Sequence, residues 1–140
     1  MKHLAILGST GSIGTLTLEV VAAHPDRFRV AALAARASLD ALERQIRAFG
    51  PRLAAVETEA AARDLARRLG GGRTEVCWGP EGLRRAAAES GADLVVSAIV
   101  GGAGLRPTMA ALSAGKDVAL ANKESLVMAG GLMTSEAGRA

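Results

Sequence analysis

Aromatic side chains are scarce: tyrosine is absent, and one tryptophan and two phenylalanines make up 2% of the 140 residues. Single-stranded nucleic acids are held on aromatic stacking platforms within a contiguous basic stripe, so this scarcity argues against a nucleic-acid partner. Cysteine occurs once, as Cys77. No internal disulfide can form, and a reducing cytoplasm is the simple reading. In Glu75-Val76-Cys77-Trp78 the thiol is expected to fill a small apolar site, the alternative being a reactive thiol. Long hydrophobic runs are missing as well. Hydrophobic residues make up 49% of the chain, yet Arg, Asp, Glu or Gly interrupts every apolar run before it reaches a membrane-spanning length. Met1-Lys2-His3 leads into a short strand and not into the apolar core of a signal peptide, so no membrane association is expected. Charge of one sign is also lacking. The net charge is only +3, and Arg44, Arg47, Arg63, Arg67, Arg68, Arg84 and Arg85 share their segments with acids, as solvated helix faces do.

What is present is a regular alternation of two hydrophobic periods. Short apolar runs at 3–7, 28–34, 52–57, 74–77, 92–98 and 116–121 read as strands apolar on both faces, the pattern of a buried parallel sheet. Amphipathic helices are expected at 12–24, 39–49, 59–69, 81–90, 104–114 and about 123–137. Pro25, Gly50-Pro51, Gly70-Gly71-Gly72, Gly91 and Gly115 mark helix ends. Ser38 and Thr58 are candidate N-caps, and Pro80 lies at a helix start. Repeated βα units with short connections imply an α/β fold: a Rossmann-like, doubly wound parallel sheet with helices on both faces, one domain over 1–140.

The first strand-to-helix turn carries the clearest functional signal. Leu4-Ala5-Ile6-Leu7 runs into Gly8-Ser9-Thr10-Gly11-Ser12-Ile13-Gly14. Ile13, Leu16, Leu18, Val20 and Val21 then supply apolar faces to the following helix. In a phosphate-binding turn, glycine at 8 permits a tight bend, glycine at 11 lets a pyrophosphate approach the backbone, and glycine at 14 lets the helix pack close to the strand. The helix N–H groups and dipole then face the phosphates. The spacing is Gly-x-x-Gly-x-x-Gly, not Gly-x-Gly-x-x-Gly, and a purely connecting turn is the alternative.

The second strand ends in Arg36-Ala37-Ser38, where NAD enzymes place a ribose-binding carboxylate. Arg36 can fork onto a 2′-phosphate and Ser38 can donate to it, which favours NADP over NAD. The alternative is a solvated loop charge beside a simple cap. The fifth junction, Ser97-Ala98-Ile99-Val100-Gly101-Gly102-Ala103-Gly104, has small residues that leave room for a ribose or nicotinamide. The sixth, Ala121-Asn122-Lys123-Glu124-Ser125, groups three polar side chains. Asn122 suits a cofactor ribose or amide, Lys123 an anionic substrate, and Glu124 a hydroxyl or Lys123 itself. Asn122 as a cap and Glu124 in a first turn are the structural alternatives. Lys123 opposes the helix dipole there, which an anion nearby explains.

These motifs together, with Ala98-Ile99-Val100-Gly101, Gly104-Leu105-Arg106-Pro107-Thr108 and Leu120-Ala121-Asn122-Lys123-Glu124-Ser125-Leu126, resemble the 1-deoxy-D-xylulose 5-phosphate reductoisomerases along essentially the whole chain. The resemblance implies an NADPH-dependent oxidoreductase of non-mevalonate isoprenoid biosynthesis. Such an enzyme rearranges its phosphosugar to a branched aldehyde and reduces it to 2-C-methyl-D-erythritol 4-phosphate. It implies that Thr10, Gly11, Ser12 and Ile13 contact NADPH, that Asn122 and Glu124 line the cofactor site, and that Lys123 faces the substrate. Gly8, Arg36 and Ser38 complete the expected cofactor set.

Two departures qualify the resemblance. Family members often carry Gly-Lys-Asn where this chain has Arg36-Ala37-Ser38, so the cation shifts to Arg36. The family's carboxylates for a divalent metal, Mg or Mn, lie in a following catalytic domain absent from this sequence. His3 and His24 lie away from the crevice, and Asp40, Glu43, Glu57, Glu59, Asp64, Glu81 and Glu89 are assigned to helix surfaces or caps. The 140 residues are therefore expected to bind NADPH without catalytic or metal residues of their own and to be inactive alone, with a homodimer possible at full length. An NADP-dependent dehydrogenase of another family and a non-catalytic dinucleotide-sensing module are the competing readings. The first leaves Asn122-Lys123-Glu124-Ser125 unexplained, and the second needs only a cofactor half.

Overall fold

A computed structural model describes residues 1–99 and 102–121. In chain order these form β1 (Lys2–Leu7), α1 (Ser12–Ala23), β2 (Phe28–Ala34), α2 (Leu39–Phe49), β3 (Leu53–Val56), α3 (Glu59–Leu69), β4 (Glu75–Trp78), α4 (Gly79–Ala88), β5 (Leu94–Ser97), α5 (Leu105–Ser113) and β6 (Asp117–Leu120), with a short 3-10 turn at Gly102–Gly104. The six strands are parallel in the order β4-β3-β2-β1-β5-β6. Every expected strand is present, as are the first five helices. The helix expected at about 123–137 lies outside the described residues.

Strand order and crossover hand decide which face each helix covers. The chain steps outward from β1 through β2 and β3 to β4, then returns to β5 on the other side of β1. Right-handed crossovers in opposite directions put their helices on opposite faces. Accordingly Leu18 and Val21 of α1, Leu42 and Ile46 of α2, and Ala62 and Leu65 of α3 pack with Leu4, Ile6, Val30, Leu33 and Val56. Ala86 and Ala87 of α4 and Ala111 of α5 pack with Ala5, Leu7, Ala32, Ala34, Ala55 and Val95. This second layer is built largely of alanine, which lets α4 lie close to the sheet. A Cβ at Gly82 would stand 3.1 Å from the Cys77 carbonyl carbon.

Local signals explain most element ends. Gly50 and Gly70 adopt left-handed φ values of 59° and 66° and close α2 and α3. The Thr58 hydroxyl accepts from the Ala61 N–H at 3.1 Å, capping α3. Pro80 sits in the first turn of α4, which starts at Gly79, two positions before the expected 81. Ser38 departs from expectation, making no side-chain cap bond to α2. The chain enters that helix through a tight turn in which Leu39 N–H donates to the Ala37 carbonyl at 2.9 Å.

Burial on both faces fails at the sheet margins. In β4 only Cys77 is buried, and β6 alternates between exposed and half-buried. Both are outermost strands, where helix cover runs out. The apolar residues of α1 divide likewise. Leu18 and Val21 are buried, whereas Ile13, Leu16 and Val20 remain 46%, 57% and 52% exposed. The arginines of the helices largely meet neighbouring acids: Arg47 with Glu43, Arg63 with Glu59, Arg84 with Glu81, and Arg68 with Asp40 at 2.5 Å across α2 and α3. Such surface pairs add little stability; the buried layers dominate. Leu33→Ala is therefore expected to lower the unfolding free energy by about 2–5 kcal/mol, and Leu16→Ala to change it by less than about 0.5 kcal/mol. Urea denaturation of the two variants checks this.

Candidate functional site

In an open α/β sheet the crevice lies beyond the carboxyl ends of the strands, where the strand order reverses. Here β1 lies between β2 and β5, so the β1–α1 turn sits over that reversal. Gly8 N–H and Ser9 N–H both donate to the Ala34 carbonyl, at 2.8 and 2.9 Å, tying the turn to the end of β2. Ala98 N–H donates to the Leu7 carbonyl at 2.9 Å on the opposite side.

The three glycines of the turn differ in what demands them. Gly8 has φ +87°, and a Cβ there would lie 2.7 Å from the Ala98 carbonyl oxygen. A Cβ at Gly14 would lie 2.3 Å from the Gly8 oxygen and 2.5 Å from Ser9 Cα. Both positions are excluded to larger residues by the backbone of this chain. Gly11 has ordinary dihedrals, φ −80° and ψ 179°, and among the described residues a Cβ would meet only the Gly8 oxygen at 3.6 Å. Packing does not require glycine at 11, so the open space over it is available to a ligand approaching the backbone.

Of the N–H donors around that space, that of Gly11 bonds the Gly8 carbonyl at 3.2 Å. Gly11 is the N-cap of α1 and offers no side-chain cap. The first helical bond closes from Thr15 N–H to the Gly11 carbonyl at 2.9 Å, and the Thr10, Ser12 and Ile13 N–H groups donate to no backbone acceptor among the described residues. Thr10 is half-buried, and Ser12 and Ile13 are exposed. Free N–H groups at the positive end of a helix form an anion site, and a pyrophosphate fits the set.

Arg36 follows β2 at the same edge of the sheet, with its side chain 84% exposed. Its Nε donates to Glu57 Oε1 at 3.1 Å. Glu57 was expected on a helix surface or cap. It instead follows β3 directly, because β2 and β3 pair in register with Ala34 opposite Ala55, which sets Glu57 beside Arg36. Ser38 is exposed, and its hydroxyl is unused by α2. Arg36 and Ser38 are therefore both accessible on the β2 side of the turn.

Gln45, on α2, was not singled out from the sequence. Its Nε2 donates to the Ser9 carbonyl at 2.9 Å. Its Oε1 and the Ser9 hydroxyl are buried without hydrogen-bond partners among the described residues. A lone glutamine between core positions 42 and 46 gives no sequence signal of such a reach. On the other flank Ser97 and Thr108 share a buried hydroxyl–hydroxyl bond of 2.9 Å, fixing the end of β5 against α5.

The sixth junction is reached only at its edge. Ala121 N–H donates to the Ser97 carbonyl at 2.9 Å, placing the exit of β6 beside β5. Asn122, Lys123 and Glu124, like Val100 and Gly101, lie outside the described residues. His3 and His24 are at the opposite end of the sheet. His3 is the second residue of β1, where its N–H donates to Asp93 Oδ2 at 2.8 Å and holds that carboxyl below its ordinary range. Cys77 is buried against the Ala54 and Gly82 carbonyls, and burial pushes its thiol pKa upward. That disfavours the thiolate and fits the packing reading, not the reactive one. Among the described residues no group of three or more His, Cys, Asp or Glu side chains could hold a metal ion. Nor is any described helix long and apolar enough to cross a membrane.

Known proteins share this fold. A relative from Geobacter metallireducens, a 1-deoxy-D-xylulose 5-phosphate reductoisomerase, is 59% identical over 133 residues, 95% of this chain and 35% of the relative. A relative of the same name from Chlorobaculum tepidum is 54% identical over 134 residues, again covering 35% of that protein. The chain thus spans about a third of the length of the curated relatives it matches. A crystal structure of DOX-P reductoisomerase in complex with NADPH, fosmidomycin and magnesium superposes with a TM-score of 0.94 at 42% identity, over 99% of this chain and 34% of that one. The Zymomonas mobilis enzyme in complex with NADPH gives 0.93 at 40% identity, over 99% of this chain and 36% of that one. The family profile described as 1-deoxy-D-xylulose 5-phosphate reductoisomerase matches residues 4–130, and the chain belongs to that family.

Proposed function

We propose that this chain is the NADPH-binding part of an enzyme that rearranges 1-deoxy-D-xylulose 5-phosphate and reduces the product to 2-C-methyl-D-erythritol 4-phosphate. The observation that carries the proposal is Gly11. Among the described residues it is the one glycine of the turn that packing leaves unexplained, and it lies beside the Thr10, Ser12 and Ile13 N–H groups, which have no backbone acceptor there, at the switch point of the sheet. Gly8 shapes the turn, while Thr10, Gly11, Ser12 and Ile13 would hold the pyrophosphate. Arg36 and Ser38 would take the 2′-phosphate. NADPH, when bound, supplies the hydride that reduces the aldehyde.

Asn122 and Glu124 would flank the reacting end of the cofactor, and Lys123 would hold the anionic phosphosugar. The names of the relatives and the ligands of the two solved structures support this reading. We assign the divalent metal and its ligands to the greater part of the relatives' length, which this sequence does not cover. On that assignment residues 1–140 bind NADPH and do not turn over substrate; metal-dependent turnover by the purified chain would overturn it. The family match favours this reading over a dehydrogenase of another family or a free-standing sensor.

The cofactor part can be tested without turnover. NADPH is expected to bind more tightly than NADH in calorimetric titration. Arg36→Ala should weaken NADPH binding roughly ten- to a hundredfold, the loss of a charged hydrogen bond of about 1.5–3 kcal/mol, with little effect on NADH. Glu57→Gln removes the carboxylate that now holds Arg36 and should strengthen NADPH binding by up to about fivefold, within the range of an exposed pair.

A second contrast separates packing from ligand approach. Gly14→Ala should lower stability by about 1–3 kcal/mol or more, since the new methyl meets backbone. Gly11→Ala should leave stability within about 1 kcal/mol and weaken NADPH binding at least roughly tenfold. Thermal melts and titrations of both variants read the difference.

A further inference from the structure

Gln45 is a polar side chain of α2 that reaches out of its own helix to the phosphate turn. It bonds the Ser9 carbonyl at 2.9 Å from Nε2. A trans peptide unit is planar, and its C=O and N–H point in opposite directions. Holding the Ser9 carbonyl toward α2 therefore turns the N–H of the same peptide, that of Thr10, away from α2. That N–H has no backbone acceptor among the described residues, and the Ser9 backbone is already tied on its other side through Ser9 N–H to the Ala34 carbonyl at 2.9 Å. With both bonds in place the Ser9–Thr10 peptide has one orientation.

We propose that Gln45 is a positioning residue for the dinucleotide: by fixing the Ser9 carbonyl it aims the Thr10 N–H at the pyrophosphate. The inference rests on the NADPH reading of the site and assigns one part of it to a residue outside the glycine turn. Gln45 touches no ligand itself. Its influence is confined to the pyrophosphate, because Arg36 and Ser38 precede α2 and do not depend on the Ser9 peptide.

Two probes and two variants test this. NADPH carries both the pyrophosphate and the 2′-phosphate; adenosine 2′-monophosphate carries only the latter. Gln45→Met keeps the length of the side chain and removes the donor. Gln45→Glu keeps its shape and turns an acceptor toward the Ser9 carbonyl. Both variants are expected to bind NADPH about tenfold more weakly or worse, with the affinity for adenosine 2′-monophosphate, read by displacement, unchanged. The Thr10 amide resonance of the free protein should shift in both.

Unchanged NADPH affinity in either folded variant would overturn the inference and leave the NADPH reading intact. Equal loss of both ligands would also overturn it, since Gln45 would then act by holding α2 as a whole. Wild-type protein that binds no NADPH would overturn the underlying reading and this inference with it.

Discussion

The site depends on one close approach, the first turn of α1 laid directly on the backbone of the β1–α1 turn. A Cβ at Gly14 would come within 2.3 Å of the Gly8 oxygen, a distance no side chain tolerates. Because that contact is backbone on backbone, the start of α1 is fixed relative to the end of β1. The β5 exit presses on the same turn from the other side, at 2.7 Å between a notional Gly8 Cβ and the Ala98 oxygen. Two glycines thus give way to the chain itself so that the third, Gly11, can face outward. The helix dipole and the free N–H groups of the first turn are held over the reversal of strand order, where a dinucleotide lies in folds of this kind.

Charge around the site is arranged in two ways. Away from the crevice most arginines of α2, α3 and α4 meet acids on the same or the adjacent helix, and Arg85 meets Glu75 of β4 at 2.9 Å, as interspersed charge predicts. At the crevice Arg36 meets Glu57 across neighbouring strand ends while staying largely exposed. An exposed pair of this kind is held weakly, so Arg36 can exchange a carboxylate for a phosphate at small cost. On the proposed reading Glu57 would orient the guanidinium before a ligand arrives and compete with that ligand.

Much of this was legible in the sequence, and the reasons are specific. Central strands such as Ala5-Ile6-Leu7 are short, apolar and ended by glycine or helix-starting residues, so period and punctuation agree. The roles of Gly8 and Gly14 followed from spacing alone. The misses were mostly tertiary. Glu57, at the end of the strand expected at 52–57, reads as a helix-surface or cap acid, and only the β2–β3 register brings it to Arg36. Gln45 is separated by 36 positions from the carbonyl it holds, a distance no local pattern spans. Ser38 has the composition of a cap but not the backbone of one. On α1 the sequence shows a broad apolar face, and only packing reveals that Leu18 and Val21 face the sheet while Ile13, Leu16 and Val20 do not.

The central claim is that the backbone of the β1–α1 turn binds the phosphates of NADPH. Amide resonances recorded during an NADPH titration of the chain test it most directly, because they report on individual N–H groups. The account predicts that the largest shifts fall on Thr10, Gly11, Ser12 and Ile13, with a second group at Arg36 and Ser38. A folded chain that binds NADPH with its largest shifts elsewhere, or that shows none at the turn at saturating ligand, would contradict it.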